Sequence, residues 1–444
     1  MLPVIQGFDE RDRPDPAIFS ACVRCGLCLP HCPTYLETLR ETSSPRGRIH
    51  LIQAVSEGRL SVTSPGFVGQ MYQCLDCRAC EDVCPSGVQY GRLVEAARTQ
   101  IERARPRPLS QRVLRRFVFG VLFDDMRLFR AASRLLWLYQ WSGAQWLARR
   151  LGILRALGLR EAETLLPTLP ARFLRPGGQV FAPTWGEQGR PYKRVALFAG
   201  CIMSTAFAET DRATARVLAA NGCETHIPAG QGCCGALTIH AGEIDRARVL
   251  ARRTIEAFER LEAKVPFDAI IVNAAGCGAA LKEYGHLLRE DRQFAGRAAA
   301  FSAKVKDITE FLGDLEQRGA LNPNMRPLKL TVTYQEACHL AHAQRVSEQP
   351  RRLLHAIPGL CLVEMDEAAL CCGSAGIYNI TEPGMSRRLL ARKMQHALAT
   401  QAEMIVSTNP GCMLQLQAGV RAAGAPVRVA HLVDLLDAAY KTER

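Results

Sequence analysis

The sequence predicts a multidomain α+β chain, in which a small helical domain precedes a helical connector and two duplicated α/β lobes. Three features carry that expectation: two cysteine runs of identical spacing near the start, an arginine- and tryptophan-rich stretch on a helical pattern, and a cysteine pattern that occurs twice in the second half. The 444 residues are too many for one ordinary domain. With 48% hydrophobic and 22% charged residues and no low-complexity tract, the chain reads as globular. Met1 to Pro16 carries Asp9, Glu10, Asp12 and Asp15 and lacks the apolar core of a secretory signal. No apolar run approaches the roughly 20 residues of a spanning helix. The expectation is a cytoplasmic chain whose membrane contact, if it has one, is peripheral on the cytoplasmic face of the inner membrane. In a reducing compartment 18 cysteines point to metal or redox work rather than to disulfides.

The first domain, residues 1–102, is expected to be helical. Cys22, Cys25, Cys28 and Cys32 precede Pro33, and Cys74, Cys77, Cys80 and Cys84 precede Pro85. Both runs read C-x2-C-x2-C-x3-C-P, the spacing of two-cluster bacterial ferredoxins. Three close thiolates wrap one cubane from a single loop, and the fourth reaches the other cubane. The expected ligand sets are therefore crossed: Cys22, Cys25, Cys28 and Cys84 for one 4Fe-4S cluster, and Cys74, Cys77, Cys80 and Cys32 for the other. A zinc-held scaffold is the non-redox alternative, although zinc sites usually pair two C-x2-C knuckles. Ser44 suits an N-cap and Pro45 a first helical position, predicting a helix to about Ser56. A second is expected over Tyr90 to Arg103.

Residues 103–192 read as connector and linker. Arg103 to Arg160 contains 13 Arg, no Lys and only Asp124 and Asp125, with Trp137, Trp141 and Trp146 among leucines at helical spacing. Such a basic amphipathic pattern suits a helix packed on its own domains, a partner-subunit surface or an anionic membrane surface. No recognised binding motif accompanies the charge, so no nucleic-acid partner is expected. Pro167 to Pro191, rich in Pro and Gly, reads as linker.

The second half repeats. Cys201, Cys233-Cys234-Gly235 and Cys277 match Cys338, Cys371-Cys372-Gly373 and Cys412, which predicts duplicated domains over 193–320 and 321–444. Val195 to Phe198, Ile270 to Val272, Leu330 to Tyr334 and Met404 to Val406 read as strands that deliver cysteines at their ends. Helical patterns such as Ala208 to Ala220 and Met385 to Ala399 alternate with them. This order predicts mostly parallel sheets with functional groups at the carboxyl ends of the strands, hence four thiols at one rim of each lobe. Cys223 and Cys361, ten residues before their Cys-Cys pairs, read as buried structural thiols.

At these residues the chain resembles a family with a double 4Fe-4S ferredoxin domain followed by two CCG (cysteine-rich) domains, and within it the bacterial glycolate oxidase (glycolate dehydrogenase) iron-sulfur subunits. The resemblance rests on the two cysteine runs and on Gln231 to Leu237, Ala337 to His342, Cys371 to Asn379 and Asn409-Pro410-Gly411-Cys412. It implies a subunit that takes electrons from FAD-containing partners oxidising glycolate to glyoxylate and passes them towards quinone or another acceptor. The chain has no G-x-G-x-x-G after a strand, so substrate oxidation, and with it any catalytic residue, belongs on a partner. In the heterodisulfide reductase branch the repeat closes with C-x-x-C; here Ala274 and Asn409 replace the earlier cysteine. Cys201, Cys233, Cys234, Cys277, Cys338, Cys371, Cys372 and Cys412 are then left as a further cluster site, a quinone-related site or a redox-active dithiol. His339 and His342 are candidates for metal ligation or proton transfer, or simply stabilise their loop. Rival readings are the iron-sulfur subunit of glycerol-3-phosphate dehydrogenase or of a lactate-oxidising complex, and a CCG-type thiol or heterodisulfide reductase.

Overall fold

The computed structural model describes residues 7–156, 163–186 and 192–441. Its first module is helical, and no strand occurs among its described residues. Prolines start the helices Pro33–Thr38, Pro45–Ser56 and Pro65–Gln73, where a missing N–H costs nothing. Ser44 caps the second of these, its Oγ accepting from the Gly47 N–H at 3.0 Å. Tyr90–Ala104 closes the module. Ile52, Val55, Phe67, Met71, Leu93, Val94 and Ile101 form its core.

The connector folds as Leu109–Phe117, a π-helical turn Val118–Leu122, Met126–Trp141 and Ala144–Arg150. Phe119, Phe123 and Phe129 turn inward onto the first lobe. Pro167 to Pro191 is not linker throughout. Gln179–Phe181 is strand β1, which pairs antiparallel with β3, Cys223–Ile227; three residues between turns leave too short a pattern to recognise. Arg160 and residues 187–191 lie outside the described residues.

Each lobe is a twisted sheet between helices. The first has the order β1-β3-β2-β4-β5, with β2 at Lys193–Phe198, β4 at Ala269–Val272 and β5 at Val305–Asp307, all parallel except β1. The second has the order β7-β6-β8-β9, with β6 at Leu330–Tyr334, β7 at Leu360–Leu362, β8 at Met404–Ser407 and β9 at Arg428–His431, all parallel. Every residue of β4 and β8 is buried, as expected of strands covered on both faces. Val195, Leu197, Ile308 and Leu312 of one lobe share a core with Val332, Tyr334, Leu432 and Leu436 of the other, so the lobes are packed as one body.

The expectation for Cys223 and Cys361 holds for only one of them. Cys223 is fully buried, but Cys361 is exposed. β3 is covered by β1, whereas β7 is the bare edge of its sheet. The duplication kept the cysteine but not the strand that shields it.

Candidate functional site

Cys22, Cys25, Cys28 and Cys84 line one pocket, together with Ile49, Val88 and the neighbouring Cys80. Cys25 is exposed and the other three of that set are half-buried. Gly26 sits in this loop at φ +89°, a conformation that favours glycine, and a Cβ there would lie 2.8 Å from Arg46 Nη1. Cys32, Cys74, Cys77 and Cys80 gather deeper. Burial, then the neighbouring thiols Cys77, Cys74 and Cys32, push the Cys80 thiol well up; burial, then Cys338, does the same for Cys77. Backbone N–H groups of Asp76 and Val88 donate to Cys74 Sγ at 3.3 Å and to Cys84 Sγ at 3.5 Å.

Iron-sulfur clusters fit this arrangement, and one buried cation decides it. Arg48 is 1% exposed. Its Nε donates to the Gln70 carbonyl at 2.8 Å, but Nη2 has no hydrogen-bond partner. The groups that favour its charge are led by Cys74 and include Cys32. A buried guanidinium without a carboxylate requires anionic charge beside it, which thiolates holding a cluster supply.

The module is wedged against both lobes. Arg78, buried in the second cysteine loop, pairs with Glu95 at 3.2 Å and with Glu283 of the first lobe. Tyr378 of the second lobe donates to the Gln73 carbonyl at 2.9 Å. Leu75 and Cys77 pack with Cys338, Cys371 and Tyr378. The deeper thiol set therefore adjoins, through Cys77, the cluster that holds the second lobe's Cys338 and Cys371.

The lobe cysteines form two quartets. Cys201 Sγ lies 3.7 Å from Cys233 Sγ, with Cys234 and Cys277 beside them; Cys338 Sγ lies 4.0 Å from Cys371 Sγ, with Cys372 and Cys412 beside them. All eight line one cavity of about 220 Å3 between the lobes. Each Cys-Cys pair is followed by a glycine in the left-handed region, Gly235 at φ +83° and Gly373 at φ +85°. A Cβ on Gly373 would meet the Ser386 carbonyl oxygen at 2.7 Å. That close approach lets the next helix clamp the thiol turn.

Asn409, where the longer motif has a fifth cysteine, donates from Nδ2 to Cys412 Sγ at 3.3 Å, and its Oδ1 accepts from the Gly276 N–H of the other lobe at 3.2 Å. It holds a sulfur and joins the lobes at once. His342 is a tether: its ring nitrogens meet Asp82 Oδ2 at 3.0 Å and the Ala369 carbonyl at 3.3 Å. His339 faces the cavity, with Nδ1 3.7 Å from Cys338 Sγ and Nε2 buried without a partner. Its ring stands edge-on to His240 at 5.1 Å, and His240 Nδ1 meets Asp76 Oδ2 at 3.1 Å. Sequence reasoning missed Arg48, Arg78, His240 and Lys393, which is buried and favoured by Cys372 and Cys371. The one available signal was Asp76, a carboxylate inside a cysteine loop.

Three family descriptions match. The 4Fe-4S dicluster domain covers residues 18–88, the cysteine-rich domain covers 195–282 and 332–417, and the glycolate oxidase iron-sulfur subunit linker region covers 110–166. The probable glycolate oxidase iron-sulfur subunit of Bacillus subtilis is 44% identical over 96% of this chain and 95% of that protein. This chain belongs to the glycolate oxidase iron-sulfur subunit family. The Escherichia coli glycolate oxidase iron-sulfur subunit is 32% identical over 96% of this chain and 95% of that one. Lactate utilization protein A of Oceanobacillus iheyensis is 30% identical over only 55% of this chain. Family membership makes the protein an iron-sulfur, electron-transferring subunit of an oxidoreductase complex, and a multidomain α+β one.

Proposed function

We propose that the chain relays electrons from FAD-containing partner subunits oxidising glycolate to a quinone, as the iron-sulfur subunit of a glycolate dehydrogenase at the cytoplasmic face of the inner membrane. The ligand sets in this reading are Cys22, Cys25, Cys28 and Cys84, and Cys74, Cys77, Cys80 and Cys32. Iron-sulfur clusters, when bound, supply one-electron transfer. The chain's own groups do the rest. Cysteine thiolates fix the geometry, N–H donors to sulfur and the buried Arg48 charge favour the reduced state, and the exposed Cys25 loop faces the donor.

The observation that carries the reading is the packing of Cys77 against the cluster that holds Cys338 and Cys371, with Cys338 the foremost charged neighbour of its thiol, which supports a route between the two thiol systems. The lobe quartets then form the next redox site. An acceptor has room in a separate cavity of about 410 Å3 beside Cys74, walled by Tyr72, Leu75, His240, Ile377 and Tyr378, with the exposed Arg105 at its edge. Oxidation of a hydroxy acid to its oxo acid releases two electrons and two protons, and a quinone taking both becomes a quinol.

The test is anaerobic reduction of the purified complex with glycolate, followed by electron paramagnetic resonance. Glycolate is expected to produce reduced-cluster signals that a short-chain quinone analogue abolishes. Signals produced by lactate or glycerol 3-phosphate and not by glycolate would overturn the substrate assignment.

A further inference from the structure

The connector has two apolar faces, and the fold uses only one. Phe119, Phe123 and Phe129 are buried against Cys201, Cys233 and Leu250. No described residue covers the other face. Of the 21 large hydrophobic residues exposed among the described residues, 13 lie between Leu109 and Ile153. Leu109, Val113 and Phe117 form a stripe at four-residue spacing, with Leu114 beside it. Leu135 and Trp141 continue it on Met126–Trp141, and Trp146 and Leu147 on Ala144–Arg150. Packing on the chain's own domains accounts for the inner face and leaves this one over, and so large an exposed apolar surface marks an interaction site.

The charges around the stripe identify the occupant. Arg105, Arg112, Arg116, Arg127 and Arg155 have no ion-pair partner among the described residues. Arg150 lies over the Trp146 ring at 5.0 Å and Arg134 over Trp137 at 5.3 Å. Arg103, Arg105, Arg107, Arg112, Arg115 and Arg116 line one open cleft at the foot of the first helix; three of these six are already neutralised by Glu102, Asp12 or Glu243, leaving Arg105, Arg112 and Arg116 free for an outside anion. Among the described residues no helix is long and apolar enough to cross a membrane. Apolar stripe, tryptophan belt and unpaired arginines on helices too short to span are the makings of an interfacial anchor.

We infer that the outer face of the connector, residues 109–153, docks on a bilayer rich in anionic phospholipid. The leucines and tryptophans enter the headgroup boundary while the free arginines meet lipid phosphates. A protein partner would need a matching acidic face at every one of those arginines, whereas a bilayer presents phosphate across the whole area. The docking deepens the inner-membrane placement in the proposed function; its failure would remove that placement and leave the electron transfer itself standing.

The test uses full-length, cluster-loaded protein floated with vesicles of phosphatidylcholine, with or without phosphatidylglycerol. Flotation is expected with phosphatidylglycerol vesicles only, and to be reversed by high salt. The variant R112Q/R116Q is expected to lose roughly thirtyfold in partitioning, from roughly a fivefold contribution per basic residue. W141S/W146S is expected to weaken binding at every salt concentration while iron and sulfide content stay unchanged, because both side chains are exposed. Absence of flotation, or flotation indifferent to both variants, would overturn the inference. So would W141S/W146S that floats normally but no longer co-purifies with the flavoprotein, which would make the face a protein interface.

Discussion

The two lobes carry the same four cysteines in settings that differ in charge and in neighbours. In the first lobe, the helix Ile244–Glu262 packs Ala247 on Gly235; in the second, Pro383–Ala399 packs Ser386 on Gly373. Counting on from those contacts, the same buried position is Thr254 in one lobe and Lys393 in the other. The Lys393 ammonium donates to the carbonyls of Glu367 and Ala368. Burial holds its pKa below the usual lysine range, and Cys372 and Cys371 oppose that shift. Cys77 packs against the cluster that holds two cysteines of the second quartet, whereas the first is walled by Phe119, Phe123 and Phe129. Two matching thiol sets thus sit in unlike surroundings: the second has the buried Lys393 and the packing of Cys77 beside it, and the first has an aromatic wall and Thr254 in the lysine's place.

Breaking the link between module and second lobe has the largest expected effect. Cys77→Ser is expected to remove one of two cubanes, lowering iron from about eight to about four per chain and abolishing the spin coupling between them, whereas Cys277→Ser in the first lobe leaves that coupling intact. Paired electron paramagnetic resonance spectra decide this.

The charge difference is next. With the second quartet as the proposed next redox site, Lys393→Met is expected to lower its midpoint potential by on the order of 100 mV, as loss of one nearby cation in a partly buried site would. Thr254→Val is expected to move no potential by a comparable amount. Equal shifts in an electrochemical titration would erase the distinction between the lobes.

The seam between the lobes gives a pH prediction. His431 donates from Nε2 to the Asn273 carbonyl at 2.9 Å, while its Nδ1 accepts from the Val433 N–H at 3.1 Å, capping Leu432–Tyr440. Burial lowers its pKa to about 4. The unfolded chain then binds a proton that the folded one refuses. Stability is full above about pH 6.5 and falls as pH drops towards 4, by up to about 3 kcal/mol. The counterpart cap in the first lobe is Asp307, whose carboxyl accepts from the Thr309 N–H at 2.8 Å and is raised by burial to about 6. Its contribution has the opposite sign: present below the unfolded value near 4 and lost as pH rises through 6. Denaturant melts of His431→Asn and Asp307→Asn across pH 4 to 7 are expected to tilt in opposite directions, and parallel tilts would contradict the assignment.

The smallest effect separates the two orphan cysteines. Cys223→Ser places a hydroxyl in a fully buried site and is expected to cost roughly 1–3 kcal/mol. Cys361→Ser, at an exposed sheet edge, is expected to change stability by less than about 0.5 kcal/mol.

Much of this architecture was legible because its signals are local. Ser44-Pro45 marks a helix start by its own chemistry, and the extent expected for Leu330 to Tyr334 and for Ala208 to Ala220 matches the structure because apolar runs and helical faces are written in consecutive residues. The grouping of Cys22, Cys25, Cys28 and Cys84 around one pocket follows the spacing, which limits which sulfurs one loop can gather; the crossed ligation itself stays part of the proposal. What escaped depended on distant partners. β1 is three residues long and exists only because β3 offers an edge. Cys361 looked like Cys223 until the missing shield strand came into view. Lys393 and Arg48 carry no local mark of their role, because nothing in consecutive residues says that a helix face is turned towards buried thiols. His339 and His342 are three residues apart in one motif, yet one faces the cavity and the other is a tether.

Iron and acid-labile sulfide on anaerobically purified C201S/C338S protein test the central claim most directly, because that variant cripples both lobe quartets and leaves the eight N-terminal cysteines alone. The account predicts about eight of each per chain, with low-temperature electron paramagnetic resonance of two interacting 4Fe-4S clusters. About four of each, or zinc without sulfide, would contradict it.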